Sequence, residues 1–118
     1  MTNDSIKLEI GDRAVKWTFE RREHIAAVEG VVSHLLVEAR QRLYLLSSLS
    51  PELFEVSLTG GAPVSIDAPA HYKFSYLVPH PDFGPSVVCV GDHMDGPWSD
   101  FHFSISIDGK LEKRGPAY

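Results

Sequence analysis

The stretch PWSDFHFSISIDGK (residues 97–110) carries the residue types of a serine hydrolase at alternating positions. Asp100, His102 and Ser104 fall on one side of the strand that this alternation predicts, and such side chains lie roughly 6.5–7 Å apart along the backbone. A working triad also needs a histidine fixed between acid and nucleophile, and an oxyanion hole. The sequence has no Gly-x-Ser-x-Gly motif. We therefore favour the alternative, a solvated face of a half-exposed strand.

Two other stretches could hold a metal ion. His80-Pro81-Asp82 and Asp92-His93-Met94-Asp95 bring imidazoles and carboxylates close together on predicted loops. A transition metal needs three or four such ligands that converge. The sequence has neither a His-Glu-x-x-His nor a Cys-x-x-Cys motif to supply them. We expect no cofactor and no metal, although the sequence leaves a metal on these loops open.

The same loops can instead recognise a protein partner. Met94 and Trp98 flank the carboxylates of the second loop, and Phe83 lies at the centre of a Pro-rich connection. Aromatic residues and methionine are enriched at the cores of interfaces. Each could equally pack into the protein's own core. The residues expected to bind a partner are Asp82, Phe83, Asp92, His93, Asp95, Trp98 and Asp100.

Charge and composition limit the choice of partner. The 118 residues have a formal net charge of −5, and Lys73 is the only cation between Leu43 and Gly109. A negative field repels nucleic acid but attracts a basic protein. Apolar runs are too short for a membrane span, the first five residues do not resemble a secretory signal, and the sole cysteine is Cys89. We expect a cytoplasmic protein that binds neither membrane nor nucleic acid.

Hydrophobic periodicity predicts the elements. Apolar residues alternate in residues 6–10 and 15–19, which indicates a β-hairpin, and again in strands near residues 54–58, 72–78, 87–90 and 101–107. In residues 21–46 the apolar residues recur every three or four positions, which predicts one long helix or two helices broken at Gly30. The expected fold is α+β, with an antiparallel sheet of five or six strands packed on this N-terminal helix. It forms a single domain, residues 1–118, with flexible ends at about 1–5 and 112–118.

In these features the chain resembles the small acidic immunity proteins that bacteria make against polymorphic and contact-delivered toxins. The length, the negative second half and the closing strand carry the resemblance, with Trp98-x-x-Phe101-x-Phe103 running into Ile107-Asp108-Gly109. The resemblance implies a non-enzymatic inhibitor that occludes a basic toxin.

A rival hypothesis remains open at this point. A curved sheet over a helix can enclose a cone-shaped pocket for a small molecule or a reaction. The residues that would line it are His71, Tyr72, Tyr76, Asp100 and His102. In either case the protein is expected to be a monomer or a homodimer.

Overall fold

The fold consists almost entirely of antiparallel β-strands. The computed structural model describes residues 6–49, 52–95 and 98–117, and for residues 92–95, 98 and 99 it describes the backbone alone. Within this part of the chain, 64% of the residues are strand and 3% are helical. The strands in chain order are β1 (Lys7–Ile10), β2 (Val15–Phe19), β3 (Arg22–Ala26), β4 (Val31–Val37), β5 (Arg42–Ser47), β6 (Glu52–Ser57), β7 (Val64–Ile66), β8 (Tyr72–His80), β9 (Gly84–Asp95), β10 (Trp98–Ile105) and β11 (Leu111–Pro116).

The predicted helix over residues 21–46 was wrong, and with it the α+β class. Strands β3, β4 and β5 occupy this segment, and its only helical part is a 3-10 turn at Glu38–Arg40. Gly30 and Gln41 have φ angles of 65° and 53°, just before β4 and just before β5. A residue in this left-handed region cannot continue a right-handed helix. The chain therefore reverses at these points and pairs as strands.

The strands form three sheets that stack as three layers. Sheet A has the order β1-β2-β3, sheet B the order β4-β5-β6-β7, and sheet C the order β11-β10-β9-β8. Sheet B is the middle layer, because alternate residues of β5 enter different cores. Leu43 and Leu45 pack towards sheet A, whereas Tyr44 and Leu46 pack towards sheet C. A strand buried on both faces has an uninterrupted apolar run of this kind.

The core between sheets A and B is organised around Trp17. Its side chain is 1% exposed, and its Nε1 donates a 2.9 Å hydrogen bond to the backbone oxygen of Leu58. A buried indole N–H needs such an acceptor. The ring also stacks on His24, with the centroids 5.6 Å apart. The buried residues of this core are Val15, Trp17, Ala26, Val28, Leu43, Leu45, Val56 and Leu58.

The core between sheets B and C is closed along one edge. There β4 lies beside β8, and Ser33 Oγ accepts a 2.9 Å hydrogen bond from the backbone N–H of Leu77. Along the opposite edge, β7 and β11 are separated by a groove that is described below. The buried residues of this core are Tyr44, Leu46, Leu53, Ile66, Phe74, Leu77, Val87, Cys89, Phe103 and Ile105.

A β-bulge in β8 changes which side chains face this core. The register of β8 against β9 shifts between Phe74 and Tyr76. The sequence alternation alone predicts that Tyr72, Phe74 and Tyr76 share one face. Because a bulge reverses the alternation beyond it, Leu77 enters the core and Tyr76 lies on the opposite side of the sheet.

Several other predictions can be compared directly with the structure. The N-terminal hairpin is confirmed, since β1 and β2 pair antiparallel. The apolar segment Val87–Val90 lies in β9, which is central because β8 and β10 pair with it on either side. The C-terminal segment, expected to be loosely held from residue 112, contains β11 and pairs with β10.

Candidate functional site: the outer face of sheet C

The candidate site is the outer face of sheet C, which we define as the face directed away from sheet B. The alternation of β9 and β10 determines its members, since Cys89 and Phe103 point into the core. Cross-strand pairing aligns the outward residues in three rows. These rows are Lys73–Val90–Asp100, Tyr76–Val88–His102 and Val78–Ser86–Ser104.

The β8–β9 turn (residues 81–83) is held by the side chain of His80. The Nδ1 atom of His80 accepts hydrogen bonds from the backbone N–H groups of Asp82, at 3.0 Å, and Phe83, at 3.2 Å. The Phe83 ring stacks on the imidazole, with the centroids 4.2 Å apart. An imidazole nitrogen that accepts hydrogen bonds carries no proton. The turn therefore requires a neutral His80 with its proton on Nε2.

Contacts to β10 and β11 join this turn to the sheet. The His102 ring lies edge-on to His80, with the centroids 4.9 Å apart. The guanidinium of Arg114 lies 5.4 Å from the centroid of Phe83, and its Nε donates a 2.9 Å hydrogen bond to Ser104 Oγ. We call His80, Phe83, His102 and Arg114 the His–Phe–Arg cluster. Four residues from three strands and a turn thus cover one end of the outer face.

Asp100, His102 and Ser104 share this face, as the alternation predicts. Ser104, however, is only 6% exposed, and its Oγ is paired with Arg114. The Nδ1 atom of His102 is buried and has no hydrogen-bond partner among the described residues. The serine is therefore bonded to a guanidinium and not to the imidazole, which is not the arrangement of a triad. The expectation of a solvated face was wrong at Ser104.

Among the described side chains of sheet C, His102 and Cys89 have shifted pKa values. Burial lowers the pKa of His102 below its ordinary value of 6.5, and the charge that His80 can carry lowers the pKa further. Burial also raises the pKa of the Cys89 thiol to about 12. Since the thiolate is the reactive form of cysteine, Cys89 is an inert member of the core at neutral pH.

The described members of the predicted partner-binding set lie on or beside the outer face. Asp82 is exposed in the β8–β9 turn, and Phe83 is 37% exposed beside it. Asp100 is partly buried in the row with Lys73 and Val90. The described members of the predicted set therefore lie in two separate regions of sheet C, the β8–β9 turn and the row that contains Asp100.

The other members of that set belong to the β9–β10 hairpin, and their side chains lie outside the described residues. They are Asp92, His93, Asp95 and Trp98. The pairing of β8 with β9 ends at Gly91, and the pairing of β11 with β10 ends at Phe101. In the described part of the chain, these four backbone positions therefore lie where the hairpin extends past its neighbouring strands.

The residues predicted to line a cone-shaped pocket lie in different places. Tyr72 packs on the inner face, where its ring makes edge contacts with Phe101 and Phe103 at centroid distances of 6.2 and 5.1 Å. Tyr76 and His102 lie on the outer face, so the sheet itself separates them from Tyr72. His71 is exposed in the turn before β8, with φ at 70°. Of these five residues, the structure brings three onto the outer face, namely Tyr76, Asp100 and His102.

Sequence reasoning missed Arg114, because this residue lies in the segment that the sequence predicts to be a flexible end. Leu111 is the only apolar residue among residues 111–114, so the segment has no alternation of apolar and polar residues that would predict a strand. In the structure Arg114 lies beside Glu112, with which it forms an ion pair. The sequence also does not predict that Tyr76 faces outward, because this orientation results from the β-bulge in β8.

A groove lies between the open edges of sheets B and C. The groove has a volume of about 490 Å³ and runs between β7 and β11. Ile66, Phe103 and Leu111 form its apolar floor, and Asp67 and Lys110 are exposed at its rim. None of the five residues predicted for the cone-shaped pocket lines this groove.

Comparison with known proteins gives no relative: no family model, no curated protein and no solved structure matches this chain. Within the described residues, no three His, Cys, Asp or Glu side chains are grouped so that they could hold a metal ion. The same part of the chain has no helix that is long and apolar enough to cross a membrane. The outer face of sheet C is therefore the feature of the molecule that indicates its function.

Proposed function

We propose that this protein is a non-enzymatic binding protein that docks a protein partner on the outer face of sheet C. The observation that carries the proposal is a group of exposed apolar side chains there. Tyr76 is 47% exposed, Phe83 is 37% exposed and Val90 is 36% exposed. Apolar and aromatic side chains that stay exposed on one rigid face are typical of protein interfaces.

The finer form of the proposal is an immunity-type inhibitor that acts in the cytoplasm and occludes a basic toxin. Asp82 and Asp100 lie beside the exposed apolar group. Two further carboxylates, Asp92 and Asp95, belong to the β9–β10 hairpin that also carries Asp100. Acidic groups around an apolar centre accelerate association with a basic partner. Tyr76 and Phe83 are the anchors expected to determine how long the complex lasts.

Among the described side chains, two cations lie on this face, Lys73 and Arg114. The guanidinium of Arg114 is ion-paired with Glu112, with a nitrogen–oxygen distance of 3.1 Å, and it also donates to Ser104. Its charge is therefore partly compensated within the protein.

Site-specific photo-cross-linking in the native host tests the proposal. A photoreactive residue at position 76 should capture a basic protein, whereas the same residue at position 25 should not. Ile25 is a matched control because it is 61% exposed on sheet A, far along the chain from sheet C. Equal capture from both positions, or none from position 76, would contradict the proposed docking face.

The captured partner then allows a functional test. If its expression arrests growth, co-expression of the wild-type chain should restore growth, and Tyr76→Ala should weaken binding about tenfold or more, as expected for an interface anchor. Ile25→Ala should protect as well as the wild type. A partner that Tyr76→Ala binds unchanged would show that the interface lies elsewhere.

A small-molecule function has one specific observation in its favour, the groove of about 490 Å³ between β7 and β11. Its size is in the range of ligand pockets. Tight binding of a metabolite that Leu111→Trp abolishes and Tyr76→Ala leaves intact would favour this function over a protein partner.

A further inference from the structure

We propose that the β8–β9 turn is a pH-sensitive switch, in which protonation of His80 releases Phe83 from the outer face of sheet C. The switch is a property of the free protein. Its consequence for binding rests on the proposed function, because Phe83 is one of the anchors assigned to the docking face.

The hydrogen bonds of the turn supply the mechanism. His80 Nδ1 accepts from two backbone N–H groups, those of Asp82 at 3.0 Å and Phe83 at 3.2 Å. A protonated imidazole has N–H groups at both ring nitrogens and no acceptor. The proton would therefore point at two other donors, and the ring has to turn away from the backbone or the turn has to open. Either movement breaks the stacking of Phe83 on His80.

The charged and titratable groups around His80 come from three elements. Within the turn, Asp82 is the neighbouring carboxylate, and β10 contributes the buried imidazole of His102. From β11, Arg114 lies over Phe83, and Glu112 is paired with it at 3.1 Å. The residues of β9 that pair with the end of β8 are Gly84, Pro85 and Ser86, and their side chains do not titrate.

These neighbours cannot replace the two hydrogen bonds that His80 Nδ1 accepts and that protonation removes. Arg114 and an imidazolium at His80 repel each other, and so would a second charge at His102, only 4.9 Å away between ring centroids. Asp82 can attract the imidazolium, but a carboxylate cannot replace Nδ1 as the acceptor for two N–H groups at their present positions. The loss of the two hydrogen bonds therefore determines the outcome.

Nuclear magnetic resonance of the full-length ¹⁵N-labelled chain between pH 8 and pH 5 tests the switch. The amide protons of Asp82 and Phe83 should move upfield with the same midpoint as the His80 ring. Protection of these two amides from exchange, corrected for the intrinsic pH dependence, should fall about tenfold, as expected when hydrogen bonds to neutral acceptors are lost.

A conservative variant separates the switch from general acid effects. In His80→Asn, the side-chain oxygen can take over the role of Nδ1 in an Asx turn without titrating, so the turn should stay closed at both ends of the pH range. His34→Asn, at an exposed position of β4, should keep the wild-type transition. The proposal is overturned if the Asp82 and Phe83 amides do not respond while His80 titrates, or if His80→Asn shows the same transition.

A binding measurement then distinguishes the switch from the proposed function. With a partner in hand, affinity should fall about tenfold from pH 7.5 to pH 5.5 for the wild type and stay constant for His80→Asn. One outcome is that the turn opens in the free protein while the affinities of the wild type and of His80→Asn both stay constant between pH 7.5 and pH 5.5. This result would support the switch and contradict the assignment of Phe83 to the docking face. If the turn never opens, the switch fails whatever the partner does.

Discussion

The guanidinium of Arg40 donates a 2.7 Å hydrogen bond to the backbone oxygen of Ile105, which ties the connection between β4 and β5 to the end of β10. The same nitrogen of Arg40 lies 3.2 Å from the hydroxyl of Tyr44, and this hydroxyl donates to Glu55 at 3.1 Å. A small polar network thus links sheets B and C at one end of their shared core.

Removing this guanidinium should destabilise the fold. In Arg40→Met the side chain keeps much of its length, but the oxygens of Ile105 and Tyr44 lose a charged donor. Hydrogen bonds to charged groups contribute about 1.5–3 kcal/mol, so the free energy of unfolding in urea should fall by about 2 kcal/mol. Arg13→Met, at an exposed loop position, should change it by less than about 0.5 kcal/mol. Equal effects of the two variants would show that the network contributes nothing to stability.

The buried phenol of Tyr44 should make stability depend on alkaline pH. Burial raises its pKa above the ordinary value of 10.0, and the charge of Glu55 adds to this shift. The unfolded chain therefore releases the Tyr44 proton first, so the contribution of this group is complete below pH 10 and is lost as the pH rises above it. Tyr44→Phe should lose about 1 kcal/mol at pH 7 and show a shallower decline above pH 10.

The matched control for this prediction is Tyr76→Phe, because Tyr76 is 47% exposed. It should keep the wild-type decline in urea melts between pH 9 and pH 11. A Tyr44→Phe curve that stays parallel to the wild-type curve over this range would contradict the assignment.

Substitutions in the turn between β2 and β3 should increase the stability of the fold. Glu20 and Arg21 have φ angles of 51° and 65°, the left-handed pair of a two-residue hairpin turn, in which Asn and Gly are strongly preferred. Placing residues with a Cβ there costs about 1–2 kcal/mol each. The double variant Glu20→Asn, Arg21→Gly should therefore raise the free energy of unfolding by about 1 kcal/mol. Glu9→Asn, at an exposed position of β1, should not raise it.

In the two outer sheets, β1, β2, β8, β9 and β10 could be predicted, whereas β3 lies in the segment predicted as a helix and β11 in the segment predicted as a flexible end. In β2, for example, Val15 and Trp17 are buried while Lys16 is exposed, which gives a clear period of two. In the middle sheet β6 has a similar alternation and was predicted, but β5 does not offer this signal. In β5 the run Leu43–Leu46 is apolar at every position because it contacts a core on each side. A continuous run of this kind is compatible with a helix as well as with a strand.

The apparent helical stripe of residues 21–46 is made of residues that do not share a face in the structure. Ile25 is 61% exposed and Val32 is 64% exposed, whereas Leu43 is fully buried. Glu38-Ala39-Arg40 are good helix formers, yet they form only one 3-10 turn, which Gln41 ends. Tertiary burial between two sheets overrides local propensity here. The consecutive β-branched residues Val31 and Val32 were the signal that favoured a strand.

The candidate site could be predicted only where alternation is regular. Asp100 and His102 lie on one face as expected, because β10 follows β9 without a shift in this part of the sheet. Tyr72 and Tyr76 were expected to lie together, and the bulge separates them. Arg114 was missed because β11 is held by pairing with β10 more than by burial of its own side chains, since three of its six residues are exposed and none is fully buried.

Cys89 should be unreactive in the folded protein. It is fully buried, and burial raises the pKa of its thiol to about 12, so hardly any thiolate exists at pH 8. A thiol reagent such as Ellman's reagent should label Cys89 only in denaturant. A variant with a new thiol at Ser57, which lies at a partly exposed position, should be labelled once without denaturant. Rapid labelling of the folded wild type at the denatured rate would show that sheets B and C do not enclose this residue.

The Nδ1 atom of His102, which has no hydrogen-bond partner among the described residues, should make the fold less stable in acid. Because burial and the charge of His80 lower the pKa of His102 below 6.5, the unfolded chain binds a proton more readily than the folded chain. Stability from this group is therefore present above pH 6.5 and declines as the pH falls below it. His102→Leu removes both the titration and an unsatisfied buried atom, so it should match or exceed the wild type at pH 7 and lose less stability between pH 6.5 and pH 5. Urea melts of His102→Leu and of the control His34→Leu, compared at these pH values, check this, and a steeper loss in His102→Leu would show that the imidazole stabilises the outer face in its charged form.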